Sequence, residues 1–557
     1  MSERTKRAHP EHAYMPALRT QLAEGRIDRR EFLRTATLLG VSAAAAYGMA
    51  GLSPAKAASL PKGGTVRIAM RLQDITSPHT YSWVESSNVA RQVLEYLTIT
   101  GQDNVTRPLL AESWEASEDL KTWTIHLRKN VKWHDGRAFN ADDVMWNLKR
   151  ALDPATGSSM VGLVKGYLLE EYETGEKDDK GNPKKSTRLW AENAIEKVDD
   201  HTIRFNCKAA QLAVPEHLFH YVMLIMDPAS NGTFGPGANG TGPFELVEAE
   251  TGKRAKLKKR EDYWGEPAHV DFLEFIDTGD EASTLLNALA AGQVDGCYSL
   301  PEMLIPAAQK LSKLKLYDTP TALTAVARFK VGEKPFDDPR VRKAMRLAID
   351  NEAVLKIALG GVGVTAEHHH VCPIHPEYAS APLVRDIEGA KKLLAEAGHP
   401  NGFDTEIYCK PDPDWEQRGV QAMVQMWKEI GVNVAIKLLP AAQFWDVWTK
   451  VPFGFTTWTH RPLGTMTLSL AYRTGVPWNE SDYSNPAFDK LLDKAEGTLD
   501  VEERRKIMAE LEHIMQEDGP IVQPIWRKVG TAFDSRVQGV RMHPTAYIFG
   551  WELAISA

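Results

Sequence analysis

Apolar and polar residues follow both strand-like and helix-like periods along this 557-residue chain. Residues 122–128 alternate apolar and polar positions, which predicts a strand with one buried face. Further along, four apolar residues recur at helical spacing with Arg and Lys opposite, which predicts an amphipathic helix. These four residues are Val341, Met345, Ala348 and Ile349.

Helix signals mark other parts of the chain. Asn140, followed by acids in the first turn, predicts an N-cap for a helix over 144–152. A helix over 390–397 is expected to end at Gly398, and apolar spacing predicts another over 89–97. The charge-rich stretch 170–190 predicts an exposed, mobile loop. Strands and helices that alternate in this way predict α/β domains.

The N-terminus has the pattern of an export signal. The pair Arg29-Arg30 stands just before Phe32, an Ala-rich apolar run covers 36–52, and small residues follow up to Ala57. This pattern predicts a twin-arginine signal peptide, cleaved after about Ala57, and a soluble periplasmic product. A membrane anchor is the alternative, but the run is short for spanning. Residues 1–57 are therefore left out of the fold prediction.

Charge and length narrow the function classes. Without residues 1–57 the chain has 57 Lys+Arg against 69 Asp+Glu, a net charge of −12 with His neutral. Nucleic acid and anionic lipid are therefore not expected as partners, because both need a basic face. The remaining length predicts at least two domains, and no later apolar run approaches the length of a membrane span.

The sequence gives no sign of catalysis or redox chemistry. The cysteines are Cys207, Cys297, Cys372 and Cys409. They allow three disulfide pairings, between which the sequence does not choose, and free buried thiols are equally compatible. No C-x-x-C pair, G-x-S-x-G elbow, H-E-x-x-H pair or Walker loop is present. We therefore expect a protein that is not an enzyme and has no cofactor.

Residues 110–154, "LAESWEASEDLKTWTIHLRKNVKWHDGRAFNADDVMWNLKRALDP", carry a resemblance to a known family. The run resembles the signature region of the family 5 extracytoplasmic solute-binding proteins. These are the dipeptide-, oligopeptide- and nickel-binding components of ABC importers. Further stretches are similar to the family's motifs, in the family's order: 241–244, 263–264, 289–295, 335–350, 390–398 and 483–489.

The resemblance implies an α/β periplasmic binding protein with two lobes, a hinge and an inserted third domain, the three-part cluster C type. Domain I would combine 58–95, 227–320 and 528–557; domain II would be the insertion 96–226; domain III would be 321–527. Peptides or peptide-like solutes would bind in the cleft between the lobes. The protein, expected as a monomer, would deliver them to an inner-membrane ABC permease with ATPase subunits.

One loop is the main candidate for the ligand site. Residues 458–464 bring Trp458, His460 and Arg461 together beside a Pro and a Gly. The family's peptide-binding members have acids here, just after a Trp, that hold the peptide's ammonium group, whereas this chain has none. Arg461 would repel an ammonium group and suits a carboxylate through a bidentate bond.

Three further residues complete the predicted ligand site. Trp478 and Asn479 could add stacking and amide contacts, and Tyr81 lies in the loop after the first strand, where relatives place cleft residues. The ligand alternatives are a non-peptide anionic solute, such as an opine or acidic sugar conjugate, and a metal or metallophore.

A metal would draw on the donors of one histidine-rich stretch, with His368, His370 and Cys372 as the candidates. Their spacing matches no fixed ligand pattern, so no metal site is predicted.

Overall fold

A computed structural model describes residues 11–52, 60–177, 183–279, 281–411 and 413–556. The predicted cleavage point after Ala57 lies outside these residues. Strands and helices alternate through the described chain, which confirms the predicted α/β class. No helix among the described residues is long and apolar enough to cross a membrane.

The helices of the described chain range from single turns to one of 17 residues. In chain order they are α1 (Met15–Ala23), α2 (Arg29–Leu38), α3 (Ala43–Met49), α4 (Val84–Ala90), α5 (Ala141–Leu152), α6 (Met160–Leu168), α7 (Val214–His217), α8 (Ala282–Ala291), α9 (Ile305–Ala308), α10 (Pro339–Leu347), α11 (Asn351–Leu359), α12 (Ile387–Glu396), α13 (Asp414–Lys428), α14 (Ala441–Val447), α15 (Gly464–Ala471), α16 (Pro486–Glu496) and α17 (Val501–Glu517). Short 3-10 helices cover Pro78–Thr80, Pro154–Thr156, Pro228–Ser230, Glu302–Leu304 and Gly550–Glu552.

The strands of the described chain range from 2 to 16 residues. In chain order they are β1 (Thr65–Ala69), β2 (Thr98–Thr100), β3 (Thr106–Pro108), β4 (Ala111–Ala116), β5 (Thr122–Leu127), β6 (Leu169–Lys177), β7 (Pro183–Leu189), β8 (Ile195–Asp199), β9 (Thr202–Asn206), β10 (Phe244–Glu250), β11 (Arg254–Lys259), β12 (Phe272–Ile276), β13 (Gly296–Cys297), β14 (Leu314–Phe329), β15 (Gly363–Thr365), β16 (Asp404–Cys409), β17 (Asn433–Leu438), β18 (Phe453–Trp458), β19 (Ile521–Val522), β20 (Ile525–Asp534), β21 (Val537–Gln538) and β22 (Ala554–Ile555).

One large sheet runs through the molecule in the order β10-β11-β12-β1-β13-β20-β14-β18-β16-β17, with β15 on β20 and β19 on β14. The long strands β14 and β20 are antiparallel, and their register is irregular between Pro320 and Leu323. The predicted borders of domains I and III, at 320/321 and 527/528, fall at this irregularity. The domain division itself stays a prediction.

A second sheet, β4-β5-β9-β8, lies within the stretch predicted as the insertion. Helix α5 packs beside it, with Asn140 as its N-cap, as predicted, and with its first turn starting at Ala141, three residues before the predicted start. The Asn140 side chain accepts from the backbone of Asp143, and the Asp143 carboxylate accepts from the backbone of Asn140, which makes a capping box. The predicted strand over 122–128 is β5, whose burial alternates as expected.

Helix α10 confirms the predicted amphipathic pattern. Val341 and Met345 are fully buried in a core that α10 shares with α13 and β18. Two of the basic residues are buried as well: Arg342 donates to Asp518 O, at 2.6 Å, and Arg346 donates to Glu517 O, at 3.1 Å. Both carbonyls lie at the C-terminal end of α17, where cations are favoured.

The N-terminal segment, which the sequence analysis left out of the fold, is part of the body. Residues 11–52 form α1, α2 and α3, and Phe32, Ala36 and Leu38 are buried in the same apolar core as β4 and α17. Trp114 of β4 donates from Nε1 to Leu38 O at 2.9 Å. The uncleaved chain thus packs residues 11–52 on the body, which the sequence analysis did not consider. The export role of residues 1–57 and their cleavage stay predictions.

Two predicted elements differ in the structure. Helix α4 ends at Ala90, and the predicted helix over 89–97 gives way to turns that bury Val93 and Leu94. In the stretch predicted as a loop, the described residues 170–177 and 183–189 belong instead to the exposed antiparallel strands β6 and β7. Charged side chains pair between these strands, as in Arg188 with Glu170 at 2.8 Å, and such pairs favour strands over an irregular chain.

All four cysteines are free and buried, which resolves the two alternatives left open by the sequence. Burial raises the pKa of the Cys297 thiol to about 11 and those of the other three thiols to about 12. The thiols are therefore protonated at neutral pH and unreactive.

A buried carboxylate connects the central strands of the large sheet. Glu480 accepts from Arg328 of β14 at 3.1 Å, from the Thr456 hydroxyl of β18 at 2.6 Å, and from Trp458 Nε1 at 2.8 Å. Both ionic side chains are almost fully buried, at 0% and 2% exposure. Removing one partner of such a pair leaves the other charge buried without compensation.

We therefore expect Glu480→Gln to lower the free energy of unfolding by about 3–5 kcal/mol, since it strands the Arg328 guanidinium. Urea titration followed by tryptophan fluorescence measures the change. The control is Asp482→Asn, because the Asp482 carboxylate pairs with Lys330 at 2.6 Å but is 68% exposed. The control should lose less than about 1 kcal/mol. Equal losses in the two variants would contradict the prediction.

Candidate ligand-binding site

The predicted loop connects a strand to a helix. β18 ends at Trp458, α15 begins at Gly464, and residues 459–463 lie between them. Trp458 pairs with Thr324 of β14, close to the register irregularity. A Cβ on Gly464 would lie 2.8 Å from Val371 Cγ1, so a larger residue would push the start of the helix away. The loop is confirmed and sits against the two long strands.

Arg461 lies in this loop as a buried cation without a counter-charge. Its side chain is 4% exposed, and Nη1 donates to the Thr459 hydroxyl at 2.6 Å and to His460 O at 2.9 Å. Nε and Nη2 have no hydrogen-bond partner, and no carboxylate of the described residues lies within ion-pair distance. A buried, uncompensated guanidinium is costly, so this group is set to take an anion.

The guanidinium faces a small cavity. The cavity has a volume of about 30 Å³, which is about the space of one water molecule, and its polar lining includes Asn104, His220, His460, Arg461 and His543. These residues come from distant parts of the chain. The fold therefore gathers a group of polar side chains around one charge.

The histidines of the cavity are neutral. Burial, with the Arg461 charge as a lesser cause, lowers the pKa of His220 well below its ordinary value. Burial also lowers the pKa of His460 well below that value and the pKa of His543 to about 3. His460 Nδ1 accepts from Ala322 N at 3.0 Å, so its Nε2–H donates to Asn104 Oδ1 at 3.2 Å. Arg461 thus supplies the positive charge.

One acid also lines the cavity, but its charge is already matched. Glu216 accepts from Arg34 Nε at 3.0 Å, with both side chains buried. Since the carboxylate belongs to this pair, it does not compensate Arg461. The cavity keeps one unmatched positive charge.

Aromatic rings form a wall beside Arg461. Tyr221 lies 5.7 Å from the guanidinium carbon and 6.2 Å from the Trp478 ring. Trp478 contacts the rings of Trp458 at 5.9 Å and Trp448 at 6.2 Å, both edge-on. Flat rings of this kind stack on planar or apolar parts of a ligand.

The wall continues to the opposite side of the cleft. Trp448 contacts Trp445, and Trp445 contacts Trp83, each with ring centroids 5.5 Å apart. Lys410 lies 4.7 Å from the Trp445 ring and pairs with Glu416 at 3.1 Å. Trp445 Nε1 and Glu416 Oε2 are buried without hydrogen-bond partners. This end of the wall therefore has an unused donor and an unused acceptor.

The other predicted site residues are placed differently. Asn479 is occupied by its own turn: Nδ2 donates to Tyr483 O at 2.7 Å, and Oδ1 accepts from Tyr483 N at 3.0 Å. The Tyr81 hydroxyl donates to Ile75 O at 2.6 Å within its own loop. The structure thus brings His460, Arg461, Trp458 and Trp478 together, and it uses the polar groups of Asn479 and Tyr81 elsewhere.

Several residues of the site were missed by the sequence analysis. Asn104, His220, Tyr221 and His543 are single residues in unrelated stretches, and nothing in their local sequence marks them. Trp445 and Trp448 gave a usable signal, because aromatic residues three apart on a helix share one face. Tertiary structure alone brings the other residues together.

The histidine-rich stretch does not gather metal ligands. His368 Nδ1 accepts from Gln523 N at 2.9 Å, His370 Nδ1 is bonded to the Tyr472 hydroxyl, and the Cys372 thiol donates to Thr321 O at 3.6 Å. Within the described ranges, no group of three His, Cys, Asp or Glu side chains could hold a metal ion. The nitrogen and sulfur donors serve the fold instead.

Comparison with known proteins shows the same fold. A chain named DppA from Helicobacter pylori, solved in complex with peptide STSA, superposes with a TM-score of 0.75 at 22% identity, covering 89% of this chain and 98% of that one. The PBP AgaA from A. tumefacien R10, in complex with agropinic acid, gives 0.77 at 23% identity, covering 89% and 99%. These likenesses bear out the two-lobed periplasmic binding protein fold.

Relatives in sequence extend over most of the chain. A glutathione-binding protein, GsiB, of Pectobacterium atrosepticum is 27% identical over 492 residues, covering 84% of this chain and 89% of the relative. Heme-binding protein A of Haemophilus influenzae is 29% identical over 485 residues, covering 79% and 82%. The profile described as bacterial extracellular solute-binding proteins, family 5 Middle, matches residues 105–499. The chain belongs to the family 5 bacterial extracellular solute-binding proteins.

Proposed function

We propose that this protein is the periplasmic solute-binding component of an ABC importer and that it binds peptide-like solutes through a free carboxylate held by Arg461. The observation that carries the proposal is the buried guanidinium with two unused donor nitrogens. An arginine fork matches a carboxylate bidentately, and the bond is strongest where water is excluded.

The electrostatics of the cavity argue against a ligand that places its ammonium group beside Arg461. An ammonium group beside Arg461 would meet a like charge, and the surrounding imidazoles are neutral. The charge of the Glu216 carboxylate is matched by Arg34 through Oε1, although its Oε2 has no hydrogen-bond partner. A ligand that presents its negative end to this cavity is therefore favoured over one that presents its amine.

The aromatic wall supports a ligand longer than a single acid group. Rings lead from Tyr221 beside Arg461 to Trp445, where an indole N–H and a Glu416 oxygen are unused. Peptide bonds and apolar side chains can stack along such rings and use the polar atoms at the far end. Glutathione and the peptide STSA, named with two proteins similar to this one, both have a free carboxylate.

A non-peptide anionic solute of the opine type is the second candidate. It is favoured by the same guanidinium together with the absence of an acid in residues 458–464, where an ammonium group would need one. The similar chain AgaA was solved with agropinic acid. In either case the solute would be passed to an inner-membrane permease with ATPase subunits, and residues 1–57 would direct export.

The first experiment is a thermal-shift screen of the protein, both full-length and without residues 1–57, with glutathione, dipeptides, tetrapeptides and agropinic acid. A ligand that binds only the folded protein raises the unfolding temperature, by mass action. We expect at least one acid of this panel to shift the transition. If no member does so after overnight incubation, the proposal is wrong.

Arg461 should distinguish an acid from its amide. For a dipeptide that binds, such as Met-Leu, we expect the C-terminal amide to bind at least about tenfold more weakly than the free acid, because a charge-assisted bond is lost. Arg461→Gln should weaken the free acid by about 10- to 100-fold and leave the amide nearly unchanged. Isothermal titration calorimetry measures both.

The matched control is Arg340→Gln, which removes an exposed guanidinium that pairs with Asp338 at the start of α10. It should preserve the preference for the acid. If Arg461→Gln weakens the acid and the amide equally, Arg461 shapes the fold and does not bind the carboxylate.

The pH dependence tests whether Arg461, and not a histidine, supplies the positive charge. Since burial holds the pKa of His543 at about 3 and the pKa values of His220 and His460 far below their usual value, no cavity imidazole gains a proton between pH 8 and 6. Carboxylate binding should then vary by less than about twofold in calorimetry, because Arg stays charged throughout. Binding that became much tighter as the pH fell from 8 to 6 would contradict the assignment, because it would mean that a histidine with an ordinary pKa supplies the charge.

A further inference from the structure

Helix α2 carries two buried charged residues, Glu31 and Arg34, and each of them pairs with a residue of a different neighbouring helix. Arg34 donates from Nε to Glu216 Oε1 of α7 at 3.0 Å and from Nη1 to Glu31 of its own helix at 3.0 Å. Arg504 of α17 donates in turn to the same Glu31 carboxylate at 3.2 Å. Each of these four side chains is no more than 7% exposed.

The helix therefore lies between two parts of the body that the sequence assigns to different domains. α7 belongs to the stretch predicted as the insertion, and α17 belongs to the stretch predicted as domain III. A second contact on the α17 side comes from α1, where Gln21 Nε2 donates to Asp500 Oδ2 at 2.6 Å. On the other side, the Tyr47 hydroxyl donates to Asp103 Oδ2 at 2.8 Å.

Apolar packing adds area, and the charges fix the position. Phe32 and Ala36 are fully buried, and Gly40 lies so close to β4 that a Cβ would be 2.6 Å from Trp114 O. Apolar side chains alone tolerate several registers of a helix in a groove. Only one register also places Glu31 against Arg504 and Arg34 against Glu216, and a misplaced helix would leave charges buried without partners.

We propose that α2 is a strap, and that the groove between α7 and α17 is a docking surface for this one segment of the chain. The strap ties the two sides together beside the Arg461 cavity, because Glu216 both holds Arg34 and lines that cavity. In the uncleaved chain the strap adds to direct contacts between the two sides, such as Leu212 N donating to Glu496 O at 2.8 Å, and the predicted cleavage after about Ala57 would separate it from the chain. The strap needs no particular solute, so its docking is independent of the ligand proposed above.

The strap also divides the twin-arginine motif. Arg29 and Arg30 are exposed, whereas Phe32, Leu33 and Arg34 are buried against the body.

Hydrogen exchange of the full-length chain, read by mass spectrometry, tests the docking. We expect the amides of residues 32–38 to be protected, and Arg34→Glu to speed their exchange by at least about tenfold. Arg34→Lys keeps the charge and should keep most of the protection. The matched control, Arg29→Glu, changes an exposed arginine of the same helix and should have no effect.

A distance between the two sides tests whether α2 holds them together. Spin labels on Lys149→Cys of α5 and Lys392→Cys of α12, both exposed, report the separation of the two sides by pulsed electron resonance. The four native thiols are buried and remain unlabelled. We expect one narrow distance with arginine at 34, and a broader distribution reaching longer distances in Arg34→Glu.

The amides of α13, in a separate core, are measured in the same samples to show that Arg34→Glu is folded. Faster exchange of 32–38 with a broader distance and unchanged α13 supports the strap. Unprotected amides at 32–38 with arginine at 34, or no response to Arg34→Glu, would overturn the docking. Faster exchange of residues 32–38 without a change in the distance would show that α2 does not hold the two sides together. Loss of protection in α13 would show that α2 is part of the global core and not a separate strap.

Discussion

The proposed ligand site depends on one buried carboxylate, Glu480, because it joins both central strands to the aromatic wall. It holds Arg328 on β14, and Thr456 and Trp458 on β18, at distances of 2.6–3.1 Å. The indole of Trp458 is thereby fixed where β18 ends and the Arg461 loop begins. A carboxylate with three donors in a dry environment has little freedom to move. The loop therefore starts from a rigid point, and its guanidinium is held in place before any solute arrives.

The buried charges near the cavity are of two kinds: some are paired with an opposite buried charge, and Arg461 is not. Arg34, Glu31, Glu216 and Arg504 are matched within one network, which is the usual condition for buried charges. Arg461 has backbone and hydroxyl acceptors on one nitrogen and none on two others. Arg91 and Arg346 are also buried without a carboxylate, but oxygen atoms accept from two of the three nitrogens of each guanidinium. Arg461 differs because two of its nitrogens have no acceptor and because it lines a cavity, which supports the proposal that the solute brings the counter-charge.

The sequence predicted those features that depend on local chemistry. The Asn140 cap, strand β5, the apolar face of α10 and the loop around Arg461 follow from residues a few positions apart. The sequence analysis failed where contacts between distant parts of the chain determine the structure. α4 ends early because the chain turns into the core, and α1–α3 pack on the body because Glu216 and Arg504 receive the charges of α2. Asn479 resembled a ligand residue, but its amide holds a turn whose geometry the sequence does not reveal.

The small volume of the cavity constrains how a solute enters. About 30 Å³ admits little more than a water molecule, so a peptide-like ligand must open space along the aromatic wall. The edge-on contacts there, such as Trp83 with Trp445, each contribute about 0.5–1.5 kcal/mol, which a ligand can replace by stacking on both rings. Under the proposed function, the solute would take the place of these ring contacts. Opening the wall would then cost little where the solute restores them, and the bond to Arg461 would favour acids over their amides.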